Sequence, residues 1–354
     1  MIWKPVFAVW ELTLKCNMHC RHCGSSADKA RPDELSTEEA LLLCDNLGAL
    51  KTEQLTLLGG EPFLRKDWPL LAERLSTKGV KVNAITNGFL MNDALAQMTK
   101  DAGLTNVAVS IDGMAETHDW IRNIKNSWQR ALQALSILAE HEMSPAVVTT
   151  VTKRSLHELE DIHTVLVGRD IPQWQIQIAA PHGRMKDFSE FLIEKDDMLF
   201  LSDFITKKKQ ENLLRIDAAD CIGYFGKDEN RIREEKDPQN GVNQKKIPFW
   251  TGCLAGLYGI GITSDGGIKG CLSLISDEFL EGNVRERNLK DIWHAPDAFA
   301  WNRKYDPDLM TGACSDCEYK YLCKAGCTST KVALTGDIYE YPLCIRAIEA
   351  EKAA

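Results

Sequence analysis

The sequence predicts an α/β protein: a parallel sheet arranged as a partial (β/α)6 TIM-like barrel, followed by a small cysteine-rich domain. Three observations predict it. Six apolar runs of strand length alternate with six helical patterns between residue 7 and about residue 212, polar residues cluster just after the first four runs, and seven of the twelve cysteines fall after residue 250. Strand and helix alternation with right-handed crossovers builds a parallel sheet. In barrels of this kind the active groups gather at the C-terminal ends of the strands.

The strands are expected at 7–14, 53–58, 80–86, 105–111, 145–151 and 173–180, with helices near 36–50, 66–78, 91–102, 127–142, 155–168 and 194–213. The first helix opens on a capping box, Ser36-x-x-Glu39. Ala40, Leu43, Cys44, Leu47 and Leu50 follow at helical spacing, which puts Cys44 in the core with no ligand role. On the sixth strand, alternation sends Gln173, Gln175 and Gln177 to one face and Trp174, Ile176 and Ile178 to the other. Buried glutamines must find partners, which favours a cavity-lining face. His182 and Arg184 follow in a polar loop. Residues 213–247 are charged and rich in helix breakers and read as a bridge or exposed loop, dividing a domain over 1–212 from one over 248–354.

Hydrophobic residues at 44% and charged residues at 26% describe a soluble globular chain. A net charge of −9, from 42 Lys and Arg against 51 Asp and Glu, argues against a nucleic-acid or anionic-membrane partner. The longest basic run, Lys207-Lys208-Lys209, falls in a helix and reads as a solvated face. No N-terminal apolar stretch is long enough for a signal peptide or a membrane span, so a cytoplasmic location is expected. In that reducing setting twelve cysteines point to metal rather than to disulfides.

Chemistry enters directly after the first strand. Cys16, Cys20 and Cys23, spaced Cys-x3-Cys-x2-Cys, form a loop that turns three thiolates towards one point. A closed cubane or structural zinc site wants four protein ligands, so three imply an iron left open. Gly59-Gly60-Glu61-Pro62 stands after the second strand, Asn87 and Gly88 after the third, Ser110 and Asp112 after the fourth. With this layout the sequence resembles the radical S-adenosylmethionine (SAM) enzymes. The resemblance implies a 4Fe-4S cluster whose open iron binds SAM, and an electron that splits SAM into methionine and a 5'-deoxyadenosyl radical. It implies that Gly59 to Pro62 hold the methionine amino group and that Asn87, Ser110 and Asp112 contact SAM, with Arg122 or Arg130 supplying an arginine for its carboxylate or ribose.

The later cysteines are Cys253, Cys271, Cys314, Cys317, Cys323, Cys327 and Cys344, with Gly266 between the first two. The pattern resembles the SPASM extension of a subset of radical SAM enzymes, and implies two auxiliary iron-sulfur clusters of the four-iron type. By that resemblance Cys314, Cys317, Cys323 and Cys344 ligate the outer one, and Cys253, Cys271 and Cys327 the inner one. The inner set is one ligand short. Leu254 to Ile260 contains no cysteine, leaving substrate, water, another residue or Cys221 to close it; Cys221 also reads as an inert buried thiol.

SPASM enzymes mostly act on peptides or proteins, so the resemblance implies first a maturase of a ribosomally made precursor peptide, forming an oxidative cross-link or a similar modification. Many such maturases grip the leader peptide with an N-terminal winged-helix segment, whereas fifteen residues precede Cys16 here. The expectation is therefore that the barrel and SPASM surfaces, or a separate recognition protein, bind the peptide. Sulfatase-maturing relatives carry an aspartate after the second SPASM cysteine, where this chain has Leu272 and Ser273. A tetrapyrrole-modifying enzyme of haem biosynthesis is the other enzyme reading. A non-catalytic iron-sulfur electron carrier or zinc scaffold would leave the Cys16 loop and the Gly-Gly-Glu-Pro turn unexplained. The cluster chemistry implies a low-potential donor such as flavodoxin or ferredoxin. No residue stands out as the catalytic base.

Overall fold

In a computed structural model, residues 3–234, 236, 237, 241, 242 and 249–354 are described. The chain divides into two compact units. The first comprises Met1–Ser110, Arg122–Pro145 and Leu254–Tyr305, the second Ile111–Ile121, Ala146–Cys253 and Asp306–Ala354.

The elements come in the expected order: β1 (Phe7–Thr13), α1 (Thr37–Ala49), β2 (Gln54–Gly59), α2 (Trp68–Thr77), β3 (Lys81–Thr86), α3 (Asp93–Asp101) and β4 (Leu104–Ser110). α4 (Ala115–Arg122), α5 (Ser127–Glu140), β5 (Pro145–Val151), α6 (Leu159–Val167), β6 (Gln173–Ile178) and α7 (Lys195–Glu211) follow. Each of the six expected strands is present within two residues of its expected bounds. In the first unit β1 to β4 run parallel in sequence order, with Phe7 opposite Gln54 and Leu55 opposite Val82. Trp10, Leu12, Leu55, Leu57, Val82, Ala84, Val107 and Val109 alternate into the core and are fully buried, each larger side chain contributing about 1.5–3 kcal/mol. The capping box of α1 is formed: Ser36 Oγ accepts from the Glu39 amide at 3.2 Å, and Glu39 Oε2 accepts from the Ser36 amide at 2.8 Å. Cys44 is buried, with its thiol on the Leu71 carbonyl at 3.7 Å.

α4 was not anticipated. Its start is organised by Glu158, whose carboxylate accepts from the Met114 amide at 2.7 Å and from Thr117 Oγ1 at 2.6 Å. A cap from so distant a residue leaves no mark in the local pattern. The segment from 213 also carries more regular structure than its charge suggests. β7 (Arg215–Ala218) pairs parallel with β6, and α8 (Glu229–Arg233) buries Ile232. β8 (Lys236–Asp237) and β9 (Gly241–Val242) form a short antiparallel pair, and the remainder of 235–248 lies outside the described residues.

In the second unit β5, β6 and β7 are parallel neighbours. The β6 glutamines are half-buried, and two of them bond to flanking strands: Gln173 Nε2 to Asp217 at 2.7 Å and Gln177 Nε2 to Thr150 Oγ1 at 2.9 Å. Trp174 and Ile176 are fully buried. The basic run is a solvated face only at Lys207. Lys208 and Lys209 are buried; Lys208 pairs with Glu160 and Glu211, and Lys209 Nζ donates to the Ile232 and Glu234 carbonyls at 2.7 and 2.8 Å. Paired or hydrogen-bonded in this way, a lysine tolerates burial that composition alone would forbid.

The chain then returns to the first unit with β10 (Gly259–Ile262), β11 (Gly267–Lys269), β12 (Gly282–Asn283), α9 (Leu289–Trp293) and α10 (Ala300–Arg303). β10 adds parallel to β1, with Phe7 opposite Gly259, and β11 and β12 continue antiparallel. The second unit closes with α11 (Lys320–Cys323), α12 (Thr328–Thr335) and α13 (Ile345–Ala353). Among the described residues no helix is long and apolar enough to cross a membrane.

Candidate radical SAM and iron-sulfur sites

β1 ends in a register shift between Glu11 and Thr13, and the cysteine loop starts there. Cys16 N donates to the Asp28 carbonyl at 2.9 Å and Asp28 N to the Leu14 carbonyl at 3.2 Å, tying both ends of the loop together. Glu34 Oε1 gathers the Thr13 hydroxyl at 2.9 Å and the amides of Leu14 and Arg31 at 2.8 and 3.2 Å. Within the loop, Met18 N donates to Cys16 Sγ at 3.4 Å, and Cys23 N donates to the Cys20 carbonyl at 3.3 Å. Burial pushes the Cys16 thiol up to about 11, partly offset by Met18 N and reinforced by Cys20, Glu61 and Cys23.

The glycines of Gly59-Gly60-Glu61-Pro62 are there for closeness. A Cβ on Gly59 (φ +154°) would lie 2.2 Å from the Thr13 carbonyl oxygen, and one on Gly60 2.2 Å from that of Lys15. Without side chains the turn lies directly on the start of the cysteine loop, with Gly60 N on Thr13 O at 2.8 Å and Glu61 N on Lys15 O at 2.9 Å. Glu61 is fully buried, its carboxylate accepting from Thr86 Oγ1 at 2.8 Å and from Asn87 N at 3.0 Å. Burial raises its pKa to about 7 despite those donors and Arg122. Asn87 in turn donates from Nδ2 to Asn17 Oδ1 at 2.7 Å. The ends of β1, β2 and β3 thus form one hydrogen-bonded set around the loop.

Of the two arginine candidates, Arg122 is the one brought to the cysteines. It is buried at the end of α4, with Nη1 donating to Cys20 Sγ at 3.9 Å. Arg130 is held elsewhere, with Nη2 on the Phe89 carbonyl at 2.8 Å and its guanidinium over the Phe89 ring. Ser110 is buried at the end of β4. Asp112 is fully buried in the second unit, where Oδ1 accepts from Thr150 N at 2.9 Å and its amide donates to His118 Nδ1 at 3.1 Å. His118, Glu158 and Asn17 also support these residues and were not singled out from the sequence, although Asn17 stands next to Cys16; Thr86 stands beside Asn87 at the end of the third strand.

In the second unit, Cys314, Cys317, Cys323 and Cys344 line one cavity of about 440 Å³, with Tyr224 and Phe225 on its wall. Burial pushes the Cys323 thiol far up, and Cys344, Cys314 and Cys317 push it further. Lys324, Ala325 and Gly326 all take positive φ, of 54°, 54° and 67°, turning the chain from α11 to Cys327 at the N-terminus of α12. A Cβ on Gly326 would meet the Tyr224 ring at 2.5 Å, so glycine allows the tyrosine to pack there. Tyr224 OH accepts from Cys327 N at 2.9 Å. Cys253 is buried in this unit, whereas Cys271 belongs to the first, just past β11. Cys221 is buried, accepts from Ile178 N at 3.4 Å, and its thiol is pushed up to about 12 by burial and by Cys327.

None of the twelve cysteines forms a disulfide, and among the described residues no three His, Cys, Asp or Glu side chains are drawn into a coordinating set. The donors themselves fit iron-sulfur clusters. Three thiols on one short loop with a buried carboxylate in the turn that lies on its start, or four thiols around one cavity, are acidic groups that a cationic centre would satisfy.

A profile of the radical SAM superfamily matches residues 10–165, and one of the SPASM iron-sulfur cluster-binding domain matches residues 253–318. The chain belongs to the radical SAM superfamily, with the TIM-like α/β fold and a C-terminal SPASM domain. These domains imply 4Fe-4S clusters and SAM. Among named proteins, the chain is 30% identical to the AdoMet-dependent heme synthase of Methanosarcina barkeri, the alignment covering 96% of each. It is 28% identical to the mycofactocin maturase MftC of Mycobacterium tuberculosis, over 92% of this chain and 79% of that one. The fold also matches Streptococcus suis SuiB bound to SAM, with a TM-score of 0.73 at 15% identity, over 97% of this chain and 78% of that one.

Proposed function

We propose that this chain is a SAM-cleaving oxidoreductase acting on a tetrapyrrole of haem formation. The observation that carries this reading is the alignment with the Methanosarcina heme synthase, which runs through nearly the whole of both chains. SAM and its cluster, when bound at the first site, would supply radical abstraction of a hydrogen atom from the substrate. The work of the chain is to hold and orient. Cys16, Cys20 and Cys23 hold the cluster, and Glu61 with the Gly59–Pro62 backbone receives the SAM amino group. Asn87, Ser110 and Asp112 border SAM, and Arg122 is favoured over Arg130 for the cationic contact by its place beside Cys20. Cys314, Cys317, Cys323 and Cys344 hold the outer auxiliary cluster, and Cys253, Cys271 and Cys327 the inner one. Residues 1–212 serve SAM, 213–247 bridge, and 248–354 serve the auxiliary clusters.

A second reading is the maturation of a ribosomally made peptide, supported by the MftC match over 92% of this chain. It brings a precursor peptide, with or without a separate recognition protein, as partner. Both readings need a low-potential donor such as flavodoxin or ferredoxin, and both suit a cytoplasmic enzyme. The experiment is anaerobic: reconstitute iron, add dithionite and SAM, and follow 5'-deoxyadenosine and substrate mass with iron porphyrins or with short peptides encoded beside the gene. Nucleoside coupled to a porphyrin mass change supports the first reading; coupling to a peptide mass change replaces it with the second. Fully loaded protein that forms no nucleoside would overturn both.

A further inference from the structure

Glu34 stands on the segment that leaves the cysteine loop, and one oxygen of its carboxylate reaches back to where the loop begins. Glu34 Oε1 accepts from Thr13 Oγ1 at 2.9 Å and from the Leu14 amide at 2.8 Å on the entry side, and from the Arg31 amide at 3.2 Å on the exit side. Thr13 is buried, and its hydroxyl passes the contact on by accepting from the Lys15 amide at 3.0 Å, one residue before Cys16. Residues 13–15 are also those on which the glycine turn lies, with Gly60 N on Thr13 O and Glu61 N on Lys15 O. A single carboxylate therefore fixes the stretch that leads into Cys16 on one side and bears the Gly59–Pro62 turn on the other.

Glu34 is itself held independently of the thiols. Leu35 N donates to the Ser264 carbonyl at 2.8 Å, and the Leu35 carbonyl accepts from Arg65 Nη2 at 2.9 Å, while Arg65 Nη1 donates to the Leu12 carbonyl at 3.1 Å. The Arg31 side chain is anchored on β1, its Nε donating to the buried Glu11 carboxylate at 3.1 Å. We propose that Glu34 is a positioning residue: as a hydrogen-bond acceptor it sets the cysteine loop against the Gly59–Pro62 turn, and so sets how SAM meets the cluster. The inference rests on the reading that Cys16, Cys20 and Cys23 hold the cluster and that the turn receives SAM. What the site asks of Glu34 is reach and acceptance. An amide oxygen at the same reach can take over that role, whereas a carboxylate drawn back by one methylene cannot.

The test uses the full chain with its iron reconstituted and the variants Glu34→Gln, Glu34→Asp, Glu34→Ala and Thr13→Val. Iron per chain is counted, SAM affinity is measured by equilibrium dialysis, and the reduced first cluster is followed by electron paramagnetic resonance before and after SAM is added. Asp and Ala should bind SAM about tenfold or more weakly and show a smaller SAM-induced change in the spectrum, whereas Gln stays within about threefold of wild type. Thr13→Val, which removes the hydroxyl and leaves Glu34 in place, should move in the direction of Ala by less. If Asp and Ala lose iron from the first cluster while Gln keeps it, the loop fails for want of the acceptor, which supports the same role. Should Ala fail to fold, Gln against Asp, together with Thr13→Val, decides the matter. Wild-type SAM affinity and spectrum in Ala or Asp, even with stability in urea lowered, reduces Glu34 to a structural residue and overturns the proposal, as does a Gln variant as weak as Ala. Fully loaded wild-type protein that neither binds SAM nor changes its spectrum with it would instead overturn the site reading beneath.

Discussion

Cys16, Cys20 and Cys23 share one loop whose ends are tied by backbone hydrogen bonds. Cys314, Cys317, Cys323 and Cys344 come from separate turns and the start of α13, and meet around a cavity. The first region offers three thiols and places beside them a buried carboxylate and a buried guanidinium, Glu61 and Arg122. The second offers four thiols within an aromatic wall. Three donors with polar neighbours suit a centre that must also take a ligand, whereas four suit one that is complete. The difference teaches that two cysteine groups of one chain can be told apart by the number of thiols and by the groups set beside them, more than by cysteine spacing.

The sharpest break of that comparison is substitution of the cysteines. Cys16→Ala should abolish 5'-deoxyadenosine formation, while Cys314→Ala or Cys317→Ala should keep nucleoside formation and lose iron from one auxiliary cluster only. If Cys314→Ala stripped all iron, the two regions would not be separate sites.

Next is Gly60→Ala. Its methyl group would fall on the Lys15 carbonyl oxygen, so the turn must withdraw from the cysteine loop. Loss of about 1–3 kcal/mol of stability is expected, together with weakened SAM binding in calorimetry. Unchanged SAM affinity would show that the close approach is dispensable.

Glu61→Gln sharpens the comparison through pH. A carboxyl with its pKa raised to about 7 by burial holds its proton more tightly folded than unfolded. Between its ordinary value and about 7 the native state binds the extra proton, so its contribution to stability is present at low pH and lost as pH rises through that window. In protein free of SAM and iron, the stability of the Gln variant relative to wild type should increase from pH 4.5 to 8 by on the order of 3 kcal/mol. Urea unfolding at several pH values measures it, and a flat difference would mean that Glu61 is ionised without penalty.

The smallest effect is expected at Cys221. Buried and accepting from Ile178 N, it should tolerate alanine with iron content unchanged and stability lowered by about 1 kcal/mol. A loss of iron would make it the missing ligand of the inner cluster, and so move that cluster towards the closed type.

Much of this was legible in sequence because its determinants are local. The strands announce themselves by apolar runs, α1 by Ser36 and Glu39, and the radical SAM loop by three cysteines. The illegible features depend on distant partners. α4 needs Glu158, more than forty residues on, to cap it. Lys208 reads as solvated until Glu160 and Glu211 are set beside it. Arg122 and Arg130 were equal candidates until one was found beside Cys20 and the other on Phe89.

By itself, then, the sequence determined the order of the first six strands, most of the helices between them and the superfamily, because periodicity and short spacing are properties of neighbours along the chain. Tertiary structure alone decided which arginine faces a cysteine and that Glu61 is buried without a full counter-charge. Burial and electrostatics are sums over groups close in space, and folding brings most of those groups together from far along the chain.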